Sequence, residues 1–481
     1  MIFPAAPRMT APFVLLVHLL LLTKSAVGQP SQLLHEIPPE DEASWNTDAG
    51  TVRYNITSAV LAQFVPLNET HILTHLTLDP NTDDVYVGAV NRLYQLSGKD
   101  LRPIHQVVTG PRLDSPECHA TGCGPKTGKY PTDNYNKLMV VAPSVDAVIT
   151  CGSVSQGACD RYRLGNLSVH IDFIPKSVAA NDPWSSTFAF VGPEKYNKWG
   201  GSEVLYVGTT FTSVGDYRYD VPAISTRNLR DLDYAELSVS KQTLIRIDVK
   251  YRDHFLVQYV YGFNASTYVY FLTVQKKSHL PGQEESGYIS KISRTCISDA
   301  NYDTYTEITF QCEGGDGVNY NLIQDAKLVY AGSDLAKSMG IPEKSPILIA
   351  VFAPSQGHTS RPEAASAVCV YAVKDIEEKF NENIHMCFNG SMQYRNMEYI
   401  FGPIEGGKCP KQGSRGNILS FCHVGLRLSG PAPVLTKAAL RLPGTLVTAV
   451  QGTSTAAHTV AFLGTTEGSI KKVNIFQNLS V

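Results

Sequence analysis

The sequence predicts an all-β protein whose antiparallel sheets are arranged around an axis, as in a β-propeller. Helical periodicity is scarce, whereas short runs rich in Val, Ile, Tyr and Phe alternate with Gly, Pro, Asn and Asp, which is typical of strands and turns. Six of these runs resemble one another, and the first four begin about every 60 residues. No linker-like stretch separates them between Thr51 and Val473, which argues against a string of separate β-sandwich domains.

The repeated runs explain why a radial arrangement is favoured. Residues 85–89, 205–209 and 461–465 share an apolar–aromatic–apolar–Gly–small pattern, 148–152 is a variant, and 270–274 and 348–352 are looser relatives. A second strand often follows the run, as at 91–96 and 468–473. A single four-stranded sheet cannot bury both of its faces alone. Packing several sheets around an axis buries both faces and leaves only short edges.

The repeat is interrupted late in the chain. Residues 375–384 carry apolar side chains at positions i, i+4 and i+8, which predicts a short amphipathic helix. We therefore expect the region of about 371–445 to be an insertion on one blade, pinned by cysteines.

The first 28 residues predict a signal peptide. Arg8 precedes an apolar run at 11–22, and the small residues Ala26 and Gly28 follow it. A run of twelve residues is too short to cross a bilayer, so a membrane anchor is the weaker interpretation. Residues 29–50 are then a flexible mature N-terminus, and the predicted route is secretory.

Cysteines and glycosylation sequons agree with that route. The ten cysteines all follow the leader, and an even number there predicts five disulfides, although spacing alone does not choose the pairing. Cys118 and Cys123 could supply half of a zinc site, but no second pair completes it, so no metal is expected. The sequons lie at Asn55, Asn68, Asn166, Asn264, Asn389 and Asn478.

Charge and motif content argue against several functions. The net charge is −3, from 41 basic and 44 acidic residues, which disfavours binding to nucleic acid or to a membrane surface. The acidic pairs Asp83–Asp84 and Asp231–Asp233 raise the alternative of a propeller glycosidase. A sialidase-type Ser-x-Asp-x-Gly-x-Thr-Trp repeat is absent, and the chain has only three tryptophans. The sequence therefore predicts neither catalytic residues nor a cofactor.

Several segments together resemble the sema domain of plexins. They include Gly-Ala-Val-Asn-Arg at 88–92 and Cys-Gly-Ser-Val-Ser-Gln-Gly-Ala-Cys at 151–159, with further matches at 137–141, 270–275, 290–296 and 317–326. The chain is thus similar to a truncated, divergent or invertebrate-like member of that family. The resemblance implies a seven-bladed propeller over 51–481, with an insertion on the fifth blade and an incomplete last blade. An N-terminal strand of that last blade is expected around Thr51 to Tyr54.

The resemblance also implies a disulfide pairing and a partner. The implied pairs are Cys118–Cys123, Cys151–Cys159, Cys296–Cys422, Cys312–Cys369 and Cys387–Cys409. The implied function is a non-enzymatic, semaphorin-binding receptor domain in axon guidance or cell migration. Such a domain is secreted or belongs to a plasma-membrane ectodomain, with plexin co-receptors or self-association as further partners. The candidate ligand-binding residues are Asp216, Tyr217, Arg218, Tyr219 and Val221.

Two alternatives concern the end of the chain. No membrane span is predicted in this sequence, so we expect either a fragment of a longer receptor or the product of an alternative transcript. A soluble decoy that sequesters semaphorin without signalling is the second interpretation.

Overall fold

The structure is a computed structural model, and it describes residues 62–66, 72–194, 202–239, 241–315, 317–402, 407–410 and 421–475. Four predictions therefore lie outside the described residues. They are the signal peptide at 1–28, the N-terminal segment at 29–50, a strand around Thr51 to Tyr54, and the sequons at Asn55, Asn68 and Asn478.

The described residues form six successive sheets, of which the first three precede residue 246. Sheet one contains β1 (Leu73–Leu78), β2 (Val85–Ala89), β3 (Arg92–Leu96) and β4 (Pro103–Val108). A small hairpin of β5 (Arg112–Asp114) and β6 (Tyr130–Thr132) follows it. Sheet two contains β7 (Asn136–Ala142), β8 (Ala147–Gly152), β9 (Cys159–Arg163) and β10 (Asn166–Ile174). Sheet three contains β11 (Thr187–Pro193), β12 (Glu203–Thr209), β13 (Ile224–Asn228) and β14 (Leu244–Ile245).

The remaining three sheets follow residue 246, and three α-helices lie in the connections of sheet five. Sheet four contains β15 (Gln258–Ala265), β16 (Tyr268–Lys276), β17 (Tyr288–Cys296) and β18 (Thr306–Glu313), to which β19 (Asn319–Tyr320) is paired. Sheet five contains β20 (Leu322–Tyr330), β21 (Pro346–Ala353), β22 (Ala365–Ala372) and β23 (Leu428–Pro443), together with α1 (Ser333–Met339), α2 (Val373–Phe388) and α3 (Phe421–Val424). Sheet six contains β24 (Val447–Ser454), β25 (Thr459–Thr465) and β26 (Ile470–Asn474).

The sheets are arranged as in a propeller. The first strand of each sheet contacts the first strand of the next, in the order β1, β7, β11, β15, β20 and β24. This arrangement confirms the predicted all-β propeller. A seventh blade stays a prediction, because the described residues form six sheets and the sixth has three strands.

All six repeated sequence runs lie on the second strand of their sheets, and these strands are buried on both faces. On β12, Leu205 and Val207 pack toward sheet two, whereas Val204 and Tyr206 pack toward sheet four. A strand covered on both faces must be apolar at successive positions rather than at alternate ones. This requirement explains why the runs are nearly continuous apolar segments.

The glycine of the repeated pattern lets the next sheet approach. A Cβ atom at Gly88 on β2 would collide with the carboxamide of Asn136 on β7 of sheet two. A Cβ atom at Gly208 on β12 would likewise collide with the ring of Tyr259 on β15 of sheet four. Glycine is therefore required at these positions for space between the sheets.

Sheets four and five are joined by a shared strand. β23 pairs in parallel with β18 and antiparallel with β22. The disulfide between Cys312 on β18 and Cys369 on β22 spans this strand. Residues 428–443, which lie inside the range predicted as an insertion, are thus part of the fifth sheet.

The segment between β22 and β23 is an insertion on the fifth sheet, and its helix is held on sheet four by a buried arginine. The predicted helix at 375–384 corresponds to α2. The guanidinium carbon of Arg294 on β17 lies 4.1 Å from the ring centroid of Tyr268 and 4.7 Å from that of Phe380 on α2. Its Nη2 donates a hydrogen bond to Asn381 Oδ1 at 3.2 Å. Burial lowers the pKa of Arg294.

We expect Arg294→Met to lower the free energy of unfolding by about 2–4 kcal/mol, because a desolvated cation–π contact is worth roughly 2 kcal/mol and two are lost. Urea denaturation of the purified chain measures the change. The matched control is Arg102→Met, whose side chain is 73% exposed, and it should change stability by less than about 0.5 kcal/mol. Equal effects of the two substitutions would contradict the proposed role of Arg294.

Candidate functional site

Three connecting segments meet at one end of sheets two and three, and we call them the loop face. They are the hairpin at 112–132, the loop at 181–185 and the loop at 211–222. The rings of His119 and Tyr217 are in edge contact with centroids 5.1 Å apart. Asn181 Nδ2 donates a hydrogen bond to the carbonyl of Val214 at 2.8 Å. Each segment therefore contacts another one, and together they form one continuous surface.

The predicted ligand-binding residues all lie on one of these loops, but they do not share one environment. Asp216, Tyr217 and Arg218 form a single 3-10 turn, and Tyr219 caps it. Tyr217 is 45% exposed and Tyr219 is 49% exposed, whereas Val221 is half-buried. The two tyrosines and Asp216 are thus accessible to a partner.

Arg218 takes a structural place instead of an exposed one. Its side chain is 1% exposed. Nη1 donates to the carbonyl of Gln156 at 2.8 Å, Nη2 donates to the carbonyl of Ala179 at 3.0 Å, and Nε donates to Thr212 Oγ1 at 3.0 Å. Burial lowers the pKa of Arg218 to about 10, and the charge of Asp182 opposes this shift. Arg218 therefore fastens the loop to sheet two and presents no charge to a partner.

Tyr219 is supported by an arginine from the segment that follows β14. The guanidinium carbon of Arg252 lies 4.2 Å from the ring centroid of Tyr219 and 5.3 Å from that of Phe211. Arg252 Nη1 also donates a hydrogen bond to the carbonyl of Tyr219 at 2.9 Å. Stacking between the arginine and the two rings holds Tyr219 in a fixed orientation at the surface.

Sequence reasoning missed the most exposed aromatic side chain of the loop face. Trp184 is 79% exposed, and Asp182 fixes the turn that presents it. Asp182 Oδ1 accepts hydrogen bonds from the backbone N–H groups of Trp184 and Ser185, at 2.8 Å and 2.6 Å. The run Asn-Asp-Pro-Trp at 181–184 was the available signal, because Asp and Pro favour a tight turn whose next residue projects outward.

The hairpin adds two apolar side chains and a disulfide. Leu113 is 68% exposed and Tyr130 is 70% exposed. Gln156 Nε2 donates hydrogen bonds to the carbonyls of Pro116 and Cys118, at 2.8 Å and 2.9 Å. Both contacts tie the hairpin to the β8–β9 turn below it. The exposed aromatic side chains are therefore carried by braced segments.

The structure contains five disulfides, and they are the same five pairs that the resemblance implies. Cys118–Cys123 lies in the hairpin of the loop face, and Cys151–Cys159 joins β8 to β9 beneath it. The others join Cys296 to Cys422, Cys312 to Cys369 and Cys387 to Cys409. Cys422, Cys387 and Cys409 belong to the insertion on the fifth sheet. The five bridges therefore fasten both the loop face and the insertion.

The acidic pairs considered for glycoside chemistry take part in structural contacts. Asp84 Oδ2 accepts a hydrogen bond from Gln95 Nε2 at 2.7 Å. Asp233 forms an ion pair with Lys176, with Nζ and Oδ1 2.6 Å apart. Within the described ranges, no group of three or more His, Cys, Asp or Glu residues could hold a metal ion. In the same part of the chain, no helix combines the length and apolar character needed to cross a membrane.

Comparisons with known proteins agree with this fold. Residues 323–480 match the family model of the Sema domain. This region resembles a Sema domain. The chain is 29% identical over 433 residues to Plexin A3 of Danio rerio, which covers 84% of the chain and 22% of that plexin. The predicted resemblance to plexins is confirmed, and the chain spans about a fifth of the length of that curated relative.

Solved structures extend the match across most of the chain. The extracellular region of Plexin A4 superposes with a TM-score of 0.71 and 25% identity, covering 84% of this chain and 45% of that one. A chain in the complex of Drosophila Plexin A with Semaphorin 1b superposes with a TM-score of 0.52 and 19% identity, covering 86% of this chain and 76% of that one. At that identity the second match shows the fold alone.

We expect Arg218→Met to lower the free energy of unfolding by about 3–5 kcal/mol, because it leaves the buried carbonyls of Gln156 and Ala179 without donors. Chemical denaturation measures the loss. Asp216→Asn in the same turn is the matched control, and it should change stability by less than about 0.5 kcal/mol. A stable, well-folded Arg218→Met variant would contradict the role of Arg218 as an anchor.

The stability of the structure beneath the loop face depends on pH through Lys137. This residue of β7 is 8% exposed, and its Nζ donates to the carbonyl of Pro183 at 3.3 Å. Burial lowers its pKa from 10.5 to about 8, against an opposing effect of Asp182. Between about pH 8 and 10.5 the unfolded chain therefore binds a proton at this site that the folded chain does not. The free energy of unfolding therefore rises as the pH increases across that interval. This gain is lost again as the pH falls through 8.

We expect Lys137→Met to raise the free energy of unfolding by about 1–3 kcal/mol at pH 7, since the buried charge and its desolvation cost are removed. The advantage should shrink at pH 9.5, where wild-type Lys137 is largely neutral in the folded state. Denaturation at both pH values measures it, with the exposed residue Lys126 mutated to Met as the control. An advantage that is equal at both pH values would contradict the assignment.

Proposed function

We propose that the chain is the extracellular ligand-binding domain of a plexin-like receptor and that it binds a semaphorin through the loop face. Its Sema domain and its plexin relatives supply the family context. The complex of Drosophila Plexin A with Semaphorin 1b, which contains a chain of this fold, supports semaphorin as the class of partner. Five disulfides fit an extracellular location.

The observation that carries the proposal is the set of exposed aromatic side chains on braced loops. Trp184, Tyr217 and Tyr219 project from segments that are fixed by Asp182, Arg218 and Arg252. Tryptophan and tyrosine are enriched at the centres of protein–protein interfaces, because they bury a large area at a small entropic cost. Side chains that are already held in place lose little further freedom on binding.

The surroundings of these aromatic residues fit the rim of an interface. Glu117, Asp216 and Asp220 are exposed and acidic, whereas Lys126 and Lys129 are exposed and basic. Charges of both signs around an apolar centre favour orientation of a protein partner rather than attraction of a highly charged polymer. The function proposed is therefore recognition, without bond-making chemistry in this domain.

A glycan introduced at position 184 tests the surface. Trp184→Asn creates the sequon Asn-Ser-Ser at 184–186, so the secreted variant should carry an additional N-glycan on the loop face. We expect binding to semaphorin Sema domains to fall at least a hundredfold, because the glycan prevents close approach. Surface plasmon resonance with a panel of semaphorins measures the affinity, and glycosidase digestion verifies the glycan.

Trp184→Gln is the matched control, since it removes the ring without creating a sequon. It should bind roughly 10- to 30-fold more weakly than wild type, as expected for loss of one aromatic hot spot. Trimming the glycan of the first variant should return its affinity to that of this control. Unchanged binding by the glycosylated Trp184→Asn variant would exclude the loop face as the docking surface.

A further inference from the structure

The three sequons within the described residues differ in how their asparagine side chains are placed. Asn166 begins β10, the outermost strand of sheet two. Asn389 follows α2 as its C-terminal cap. Asn264 lies inside β15, paired with Val269 of β16. Sequence alone treats the three sites alike, so any difference between them comes from the fold.

At Asn166 the carboxamide is turned toward its own sequon. Asn166 Oδ1 accepts a hydrogen bond from the backbone N–H of Ser168 at 3.0 Å and a second from Ser168 Oγ at 2.5 Å. The amide is planar, so Nδ2 points away from the acceptor side of the group. The sequon hydroxyl therefore lies against the carboxamide, while the nitrogen that would carry a sugar faces away from this local turn.

The same arrangement recurs at Asn389. Its Oδ1 accepts a hydrogen bond from the backbone N–H of Ser391 at 2.9 Å, and this contact is exposed to solvent. The turn lies immediately after the last residue of α2, and the chain continues through Gly390 with a positive φ of 87°. Asn389 thus presents its amide nitrogen from a surface turn, as Asn166 does.

Asn264 is placed differently. Its Oδ1 lies 3.5 Å from the position that a Cβ atom would take at Gly192, on β11 of the preceding sheet. The ring of Tyr206 on β12 borders the same point at 3.1 Å. The side chain of Asn264 therefore packs against the backbone of sheet three rather than lying in an exposed turn as Asn166 and Asn389 do, and a sugar attached to it would have to be accommodated beside this contact.

We propose that Asn166 and Asn389 carry N-linked glycans in the mature protein and that Asn264 does not. The co-reactant is a lipid-pyrophosphate-linked oligosaccharide of the secretory pathway. The bond between C1 of its first sugar and the pyrophosphate breaks, a bond forms between that C1 and Asn Nδ2, Nδ2 loses one proton, and the lipid pyrophosphate leaves. This assignment requires the secretory route but not the proposed partner.

The proposed glycan at Asn166 lies away from the loop face. β9 runs from Cys159, next to the β8–β9 turn that supports the loop face, to Arg163, and β10 begins after a tight turn. Asn166 therefore lies at the opposite end of sheet two. A glycan there also covers the start of an outermost strand, where unpaired backbone groups would otherwise allow pairing with another chain.

Glycopeptide mass spectrometry of the full chain secreted by animal cells tests the assignment. Enzymatic release of N-glycans in ¹⁸O-labelled water converts an occupied Asn into labelled Asp and leaves an unoccupied one unchanged. We expect the label at Asn166 and Asn389 and none at Asn264. An unlabelled Asn166 or Asn389, or a labelled Asn264, in the secreted protein overturns the proposal.

Matched variants give an independent readout by electrophoretic mobility. Asn166→Gln and Asn389→Gln should each lose one glycan, and Asn264→Gln should lose none. Ser168→Ala should reproduce the effect of Asn166→Gln, whereas Ser168→Thr retains the sequon and should keep the glycan. If a substitution prevents secretion, the labelling of the wild-type chain still decides the proposal.

Discussion

Burial of the second strand of each sheet on both faces is the constraint on which the rest of this structure depends. Val148 of β8 packs toward sheet one and its neighbour Ile149 packs toward sheet three. Phe271 and Tyr270 of β16 divide in the same way between sheets three and five. Sheets two to five therefore cannot complete their cores without both neighbours, so these sheets stabilise one another and present their loops from a fixed base.

The insertion on the fifth sheet extends this support to the surroundings of the loop face. The backbone N–H of Asp248 donates to the carbonyl of Tyr399 at 2.8 Å, and that of Phe401 donates to the carbonyl of Arg246 at 2.8 Å. Both contacts hold the segment that carries Arg252, which stacks on Tyr219. A segment that interrupts the sequence repeat thus helps to orient an aromatic side chain of the candidate site.

The sequence predicted correctly those strands and helices whose formation depends on residues close together along the chain. The apolar runs identified β2, β8, β12, β16, β21 and β25, and helical spacing identified α2 to within a few residues. The burial of Arg218 was not predictable in this way, because its acceptors Gln156 and Ala179 are 62 and 39 residues away in sequence. The shared strand β23 depends equally on distant contacts, such as that of Ser429 with Glu307, 122 residues earlier.

Contacts within the loop face hold its exposed aromatic side chains in place. Its partly buried polar side chains hydrogen bond to one another or to backbone groups, as Asn181 does with Gln156 and Val214. Aromatic side chains such as Trp184 and Tyr217 are exposed on these loops and provide apolar area that a partner could bury. Since the loops beneath them are braced by Arg218 and two disulfides, binding would require little ordering, which leaves more of the contact energy for affinity.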